Sequence, residues 1–175
     1  MRGIKLNLGC ANDIKTGYVN IDMYSRSPNV VEYDVRKIND ASHFCGPDEY
    51  IEEIYASDIV EHLEYNDAIT SVKNWCSILN TGGKLYIKTI NLVELVSALE
   101  NGYWDLKMFN AKLFAGKGWI DGVSRDQDFH KCAFTMHEMV RVLERQGMKI
   151  ISNTTAKAEP GRQANINFEI WAEKL

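Results

Sequence analysis

The chain has 175 residues, of which 45% are hydrophobic and 25% charged, and its formal net charge is −4. These values are typical of one soluble globular domain, and they disfavour nucleic acid as a partner because nucleic-acid binders usually carry a basic face. The chain has no apolar run of about 18 residues, so no membrane span is predicted, and four scattered cysteines without a CxxC pair indicate a reduced, cytoplasmic protein.

Strand-like and helix-like segments alternate along the chain. Apolar runs predict strands over residues 4–8, 18–21, 30–33, 53–56, 84–89, 149–155 and 165–172. Apolar residues at helical spacing predict helices over residues 67–79 and 135–146. Gly82 and Gly83 are expected to end the first helix, and Thr135 with Glu138 forms a capping box for the second. This order predicts an α/β fold with a mostly parallel sheet and a final antiparallel hairpin.

Polar residues stand at or just after the carboxyl ends of the predicted strands. They are Asn7, Gly9, Asp22, Asp34, Ser57, Asp58 and Asn91. In an open parallel sheet the ligand binds outside these strand ends, at the point where the strand order reverses. The sequence therefore predicts a binding site at this edge of the sheet.

The stretch KLNLGCANDIKTGYVNIDM links the first two predicted strands with little room for a helix. It lacks the GxGxxG pattern of dinucleotide-binding loops, and Asp22 comes earlier than the usual spacing of about 20 residues, which disfavours NAD and FAD. Gly9 permits close approach of a ligand, and the Asp22 carboxylate suits a ribose diol. The alternative is that the stretch is only two buried strands with a tight connection.

The motifs LNLGCAN, VNIDM, VEYDVRK, IYASDIVEHL, LNTGGKLYIKT and FTMHEMVRVLERQGM follow one another along the chain. In this order they resemble class I S-adenosylmethionine (SAM)-dependent methyltransferases, most of all the small bacterial and phage-associated ones. The resemblance covers nearly the whole chain except residues 92–128. It implies one Rossmann-like domain over residues 1–175, a seven-stranded mostly parallel sheet with a C-terminal antiparallel hairpin, and SAM as the cofactor.

The resemblance also implies a set of residues around the cofactor. They are Asn7, Leu8, Gly9, Cys10, Asp22, Met23, Asp34, Val35, Ser57 and Asp58. In this set Asp22 would hold the ribose hydroxyls, Met23 would contact the adenine, and Asp34 would accept from the adenine amino group. The chain departs from the family at Asn7, where an acidic residue is common, and at Ala11, which replaces a glycine.

The stretch SDIVEHL offers candidate metal ligands. If a helix starts near Ile59, then Asp58, Glu61 and His62 fall on one face, and His130 precedes the last predicted helix. This arrangement is similar to that of ubiquinone-pathway O-methyltransferases and of methyltransferases of small-RNA 3′ ends. The resemblance implies a divalent cation such as Mg²⁺, held by Asp58, Glu61, His62 and His130, although two histidines suit Mn²⁺, Fe²⁺ or Zn²⁺ better.

Metal-free alternatives exist for the same residues. Glu61 and His62 would then cap and pack a helix start, since acidic residues are favourable there. His130 would act as a general base or contact the substrate directly. With or without a metal, His130 and Asp58 are the candidate catalytic residues.

The segment of residues 92–131 is long for a connection between a strand and a helix and is rich in aromatic residues and glycines. It is interpreted as a substrate or lid insertion. The alternatives are a packed extra helix through Leu106, Phe109 and Leu113 or half of a homodimer contact.

The favoured function is methyl transfer from SAM to a small-molecule acceptor, at a hydroxyl of a sugar or related metabolite. One alternative is an RNA 2′-O-methyltransferase with metal assistance. Another is a non-catalytic protein that binds SAM or serves as an interaction module.

Overall fold

The computed structural model describes residues 1–25, 27–114, 129–157 and 166–175. Its strands are β1 (Arg2–Leu8), β2 (Val19–Asp22), β3 (Val31–Glu32), β4 (Glu49–Ser57), β5 (Leu79–Ile90), β6 (Met148–Thr155) and β7 (Asn167–Lys174). Its α-helices are α1 (Tyr65–Ile78), α2 (Leu92–Glu100), α3 (Leu106–Leu113) and α4 (Met136–Glu144). Short 3-10 turns cover Val35–Lys37, Ala41–His43 and Val60–His62.

The seven strands form one sheet in the order β3-β2-β1-β4-β5-β7-β6. The pairs from β3 through β5 are parallel, and β7 lies antiparallel between β5 and β6. The predicted α/β class, the mostly parallel sheet and the C-terminal antiparallel hairpin are therefore confirmed. The loop of this hairpin, with Pro160, Gly161 and Arg162, lies outside the described residues.

Two buried asparagines hold the short connection between β1 and β2. The Asn7 side-chain amide donates to Asn20 Oδ1 and to the Asp13 carbonyl, both at 2.8 Å. Asn20 Oδ1 also accepts from the Lys15 amide at 2.9 Å, and Asn20 Nδ2 donates to the Lys15 carbonyl at 3.1 Å. These side chains satisfy backbone groups that a helix would otherwise pair with one another. The connection can therefore be short without leaving its backbone unpaired.

The main core lies between one face of the sheet and helices α1 and α4. Strand residues such as Leu6, Ile54 and Ile170 contribute to it, together with Trp75 of α1 and Leu143 of α4, and all five are fully buried. On alternate positions of the sheet, Tyr55, Tyr86 and Trp171 are cross-strand neighbours that form a row of aromatic rings. This alternation follows from the two-residue period of a strand.

The helix boundaries differ in part from those expected. Helix α1 ends at Ile78, and β5 begins at once with Leu79, so Gly82 and Gly83 lie inside the strand instead of capping the helix. The reason is tertiary, because Leu79 already pairs with Ile51 of β4. Helix α4 begins as expected, with Thr135 Oγ1 accepting from the Glu138 amide at 3.1 Å.

Part of the predicted insertion is helical. Helices α2 and α3 form a second small core, with Leu95, Ala98 and Trp104 buried against Ile90 and Ile166. Helix α3 contains Leu106, Phe109 and Leu113, the residues of the alternative extra helix, and the role of the insertion stays a prediction. Residues 115–128 lie outside the described part. No helix among the described residues is long and apolar enough to cross a membrane.

Trp75 ties α1 to the turn that carries Asp34, because its indole N–H donates to the Val35 carbonyl at 3.1 Å in the core. We expect Trp75→Phe to lower the free energy of unfolding by about 1–3 kcal/mol, since it leaves a buried carbonyl unpaired. Urea denaturation measures this change. Lys73→Ala, on the exposed side of the same helix, should stay within about 0.5 kcal/mol of wild type. Equal losses in the two variants would contradict a stabilising role for the indole hydrogen bond.

Candidate functional site

A cavity of about 250 Å³ opens where β1, β2 and β4 end. Six of the residues expected around a cofactor line it: Gly9, Asp22, Met23, Asp34, Val35 and Asp58. This is the edge of the sheet at which parallel α/β folds bind ligands. The predicted location of the site therefore coincides with a cavity in the structure.

The other four residues expected around a cofactor are not among the described residues that line the cavity. Asn7, Leu8 and Cys10 are buried, and Asn7 braces the loop between β1 and β2. Burial raises the pKa of the Cys10 thiol to about 11, so this cysteine is a neutral packing residue at physiological pH. The Ser57 hydroxyl donates to Asp58 Oδ2 at 2.9 Å.

Gly9 leaves space that a side chain would fill. Its φ is +63°, in the left-handed region that glycine adopts most readily. A Cβ added at Gly9 would lie 2.6 Å from the Ile59 side chain, which also lines the cavity. The adjacent loop residue Ala11 is left-handed as well, with φ +42°. The loop is thus held in a conformation that brings backbone to the cavity surface.

The Asp22 carboxylate is oriented by three backbone amides. Oδ2 accepts from the Ala11 amide at 3.0 Å, and Oδ1 accepts from the amides of Tyr24 at 2.7 Å and Ser25 at 2.9 Å. A carboxylate has about four lone-pair positions. Three are used within the described residues, so one remains for a ligand hydroxyl, and a second hydroxyl would have to replace a backbone donor.

Asp34 is engaged by a neighbouring arginine. The Arg36 guanidinium donates from Nε and Nη2 to both carboxylate oxygens at 2.8–3.1 Å, and the Arg36 amide donates to Oδ1 at 3.0 Å. The hydrogen bonds from Arg36 lower the pKa of Asp34, so the carboxylate is ionised at neutral pH. Recognition of an adenine amino group by Asp34 would require Arg36 to give up part of this contact.

Asp58 is held by residues from two other strands. Lys88 Nζ of β5 lies 3.0 Å from Oδ2, and Asn167 Nδ2 of β7 donates to Oδ1 at 2.8 Å. The Asp58 amide donates to the Lys88 carbonyl at 2.8 Å, and its φ of +53° is left-handed. These contacts fix an exposed carboxylate at the cavity wall in a conformation that a residue with a Cβ seldom adopts.

Glu61, His62 and His130 lie together next to the cavity. One candidate ligand atom from each lies within 4.8 Å of the others, and His62 itself lines the cavity. The two imidazole rings meet edge to face with centroids 4.8 Å apart. Asp58, the fourth expected ligand, is outside this group and contacts Lys88 and Asn167 instead.

Burial shifts the acid–base behaviour of this cluster. Desolvation raises the pKa of Glu61 to about 8, and desolvation followed by repulsion from His62 lowers the pKa of His130 to about 4. His130 is therefore neutral at physiological pH. Its Nδ1 lies 3.2 Å from the Leu113 carbonyl, so in the neutral ring Nδ1 carries the proton and Nε2 keeps its lone pair.

Several cavity residues were not expected from the sequence. They are Ala11, Tyr24, Arg36, Ile59, Leu63, Glu64 and Lys131. Tyr24 and Lys131 directly follow the predicted residues Met23 and His130, so adjacency alone could have suggested them. Ile59 carries no comparable signal, because an apolar residue after a strand is ordinary.

The cavity wall is rich in carboxylates. Asp22, Asp34, Asp58 and Glu64 line it, whereas Arg36 and Lys131 are the lining lysine and arginine residues among those described. Lys131 Nζ lies 3.6 Å from a Glu64 carboxylate oxygen. This excess of negative charge favours a ligand that carries positive charge.

Comparison with solved structures identifies the fold. A SAM-dependent methyltransferase from Methanosarcina mazei matches with a TM-score of 0.63 at 17% identity, covering 98% of this chain and 92% of that one. Magnesium protoporphyrin IX methyltransferase from Synechocystis PCC 6803, with bound S-adenosylhomocysteine (SAH), matches with a TM-score of 0.57 at 10% identity over 99% and 75% of the two chains.

A third match is the N-methyltransferase NodS from Bradyrhizobium japonicum, also in complex with SAH, with a TM-score of 0.57 at 11% identity over 98% and 78% of the chains. No protein-family model and no curated protein sequence matches the chain. The expected resemblance to class I SAM-dependent methyltransferases is confirmed for the fold.

The contact between Gly9 and Ile59 predicts a specific destabilisation. Gly9→Ala and Gly17→Ala both place a Cβ on a left-handed backbone, at a cost of about 1–2 kcal/mol, but a Cβ at Gly17 would meet nothing within 4 Å. We expect Gly9→Ala to lose about 1–3 kcal/mol more than Gly17→Ala, because it is overpacked. Urea denaturation measures both. The excess should shrink in an Ile59→Ala background, and an unchanged excess would rule out the Ile59 contact as its cause.

Proposed function

We propose that the protein is a SAM-dependent methyltransferase acting on a small-molecule acceptor, at a hydroxyl of a sugar or related metabolite. One observation carries the proposal: the cavity at the ends of β1, β2 and β4 has Gly9 in its wall and the oriented Asp22 carboxylate beside it. The same fold occurs in methyltransferases that were crystallised with SAH. We assign SAM as the cofactor on this combination.

The charge of the cavity supports a sulfonium ligand. SAM carries a positive sulfonium, a positive ammonium and a negative carboxylate group, so its net charge is positive. Among the described residues the cavity wall presents four carboxylates against two cationic side chains, and Lys88 next to Asp58 offsets part of this excess. Asn7, at the position where relatives commonly have an acid, is buried in the loop between β1 and β2. We infer that Asp58, fixed by Lys88 and Asn167 at the wall, takes over the interaction with the amino-acid end of the cofactor.

Methyl transfer to a hydroxyl is an in-line displacement. The acceptor oxygen forms a bond to the methyl carbon, the bond from sulfur to that carbon breaks, and SAH leaves as a neutral thioether. Holding the two reacting atoms close and aligned supplies much of the rate enhancement. The hydroxyl proton must also be taken up, and the neutral His130, next to His62 at the end of the cavity, is the candidate acceptor for it.

The insertion is proposed to form the acceptor side of the site. The Phe114 carbonyl accepts from the His130 amide at 3.1 Å, and the Leu113 carbonyl lies 3.2 Å from His130 Nδ1. The backbone at the end of α3 therefore contacts His130, the residue that we propose lies next to the acceptor. This contact supports a substrate-positioning role for residues 92–131 within one catalytic domain.

Cofactor binding is the first expected outcome. SAH should bind with micromolar or better affinity, and Asp22→Ala should weaken it by about 10–100-fold, as expected for a lost hydrogen bond to a charged group. Isothermal titration calorimetry measures both. Asp13→Ala removes an exposed carboxylate of the same loop, paired with Lys15 at 3.6 Å, and should leave the affinity within about twofold. Absence of SAH binding to a folded wild-type protein would end the proposal.

Turnover separates an enzyme from a binding protein. With SAM and a panel of sugars and other hydroxylated metabolites, we expect SAH to form with at least one acceptor. His130→Ala should lower kcat by about 100-fold or more through loss of the proton acceptor, with the dissociation constant of SAH unchanged. His137→Ala, an exposed histidine of α4, is the control. SAH binding without turnover across the panel would favour a non-catalytic SAM-binding protein.

A further inference from the structure

We propose that Glu61, His62 and His130 bind one divalent transition-metal ion of the series from Mn²⁺ to Zn²⁺ at the acceptor end of the cavity. The site has three protein ligands, and Asp58 is not one of them. It therefore differs from the four-ligand Mg²⁺ site that the sequence resemblance implies. The evidence for this metal site is the geometry of the three side chains and of the backbone around them, and the proposal does not depend on SAM binding.

The three side chains are close enough to share an ion. Their candidate ligand atoms lie within 4.8 Å of one another. Two atoms bound to one ion at about 2.1 Å lie about 3.0–3.4 Å apart in octahedral or tetrahedral geometry. Small rotations about side-chain bonds, with displacements of about 1.5 Å, would complete the coordination.

The backbone holds the two ligand-bearing segments together. The Glu61 carbonyl accepts from the amides of Lys131 at 2.8 Å and Cys132 at 3.3 Å. The Leu113 carbonyl lies 3.2 Å from His130 Nδ1, an arrangement that orients a ligating imidazole and leaves Nε2 for the ion. The cluster is therefore preorganised by contacts that do not involve an ion.

A buried oxygen of Glu61, unpaired in the part of the chain that the structure describes, is independent evidence that a ligand binds at this cluster. Its side chain is 1% exposed, and within the described residues its Oε2 has no hydrogen-bond partner. A buried carboxyl oxygen is ordinarily hydrogen-bonded, ion-paired or bound to a metal, because a buried polar atom without a partner is costly in either protonation state. By contrast, Asp22, Asp34 and Asp58 in the cavity wall each accept at least three hydrogen bonds, and the fourth lining carboxylate, Glu64, is exposed to solvent and lies 3.6 Å from Lys131 Nζ.

The donor set decides the class of ion. Two imidazoles and one carboxylate suit Zn²⁺, Fe²⁺ and Mn²⁺, whereas Mg²⁺ prefers oxygen ligands and retains several waters. Three protein ligands also leave coordination positions open. An acceptor hydroxyl bound at an open position would have a lowered pKa and release its proton to water. His130 would then be a ligand instead of the proton acceptor.

Metal binding to the purified full chain tests the proposal directly. After the protein is stripped with EDTA and dialysed, Co²⁺, Mn²⁺ or Zn²⁺ at about 100 times the dissociation constant should raise Tm by about 5–10 °C. Mg²⁺ at the same concentration should leave Tm unchanged. After the stripped protein is reloaded and excess metal is removed, elemental analysis should find about one transition-metal ion per chain. The visible spectrum of the Co²⁺-loaded protein distinguishes nitrogen and oxygen ligands from cysteine sulfur.

Variants assign the ligands. Glu61→Gln, His62→Ala and His130→Ala should each weaken Co²⁺ binding at least tenfold. Asp58→Asn and the surface control His137→Ala should bind Co²⁺ within about threefold of wild type. The half-buried His62 gives a variant that should fold even if Glu61→Gln does not. SAH-induced stabilisation measured in EDTA reports the cofactor cavity separately, so a failure of either proposal is recognised on its own.

Several results would contradict the proposed metal site. Absence of a Tm shift with all three transition-metal ions would sink the site. An undiminished shift in a His62→Ala/His130→Ala double variant would place the ion elsewhere. An equal response to Mg²⁺, or a tenfold loss in Asp58→Asn, would reject the three-ligand transition-metal assignment.

Discussion

The side-chain pairing of Asn7 with Asn20 is the constraint on which the cofactor end of the site depends. By satisfying the backbone of Asp13 and Lys15, the two asparagines let the chain pass from β1 to β2 without a helix. The short connection brings the Ala11 amide to within 3.0 Å of the Asp22 carboxylate. Position and orientation of the proposed ribose contact thus follow from one buried hydrogen-bond network. The network requires an amide at position 7, since an ionised carboxylate could not donate to the Asp13 carbonyl.

Among the described residues, three of the four carboxylates that line the cavity accept hydrogen bonds from donors of the protein. Asp22 is held by backbone amides, Asp34 by Arg36, and Asp58 by Lys88 and Asn167. Such partners fix a carboxylate before a ligand arrives, which lowers the reorganisation that binding requires. They also use up acceptor positions. The cavity therefore favours a cationic ligand but offers few vacant acceptor positions. Asp22 retains one, whereas a donor that binds Asp34 would displace part of the Arg36 contact.

The sequence predicted the features that depend on short stretches of the chain. Apolar runs predicted the strands, their polar ends predicted the edge of the sheet that carries the cavity, and Thr135 predicted the start of α4. It was uninformative where contacts join distant segments. The end of α1 at Ile78 is set by pairing of Leu79 with β4, and the partners of Asp58 come from β5 and from β7 near the end of the chain. No periodicity or capping rule reports such pairings, because they arise only when the sheet has formed.

Glu61 differs from most of the carboxylates that line the cavity in its hydrogen bonding. Asp22, Asp34 and Asp58 in the cavity wall have hydrogen-bond donors, whereas the Glu61 carboxylate is buried next to two imidazoles without a donor at Oε2 among the described residues. A protein gains stability by pairing or removing such a group, so its retention next to a binding cavity points to function rather than folding. The turn that carries Glu61 is also bonded to the backbone of Lys131 and Cys132, and His130 to the end of α3. A ligand bound by the cluster would therefore bridge the turn after β4 and the proposed acceptor segment, and binding there would stabilise the two against each other.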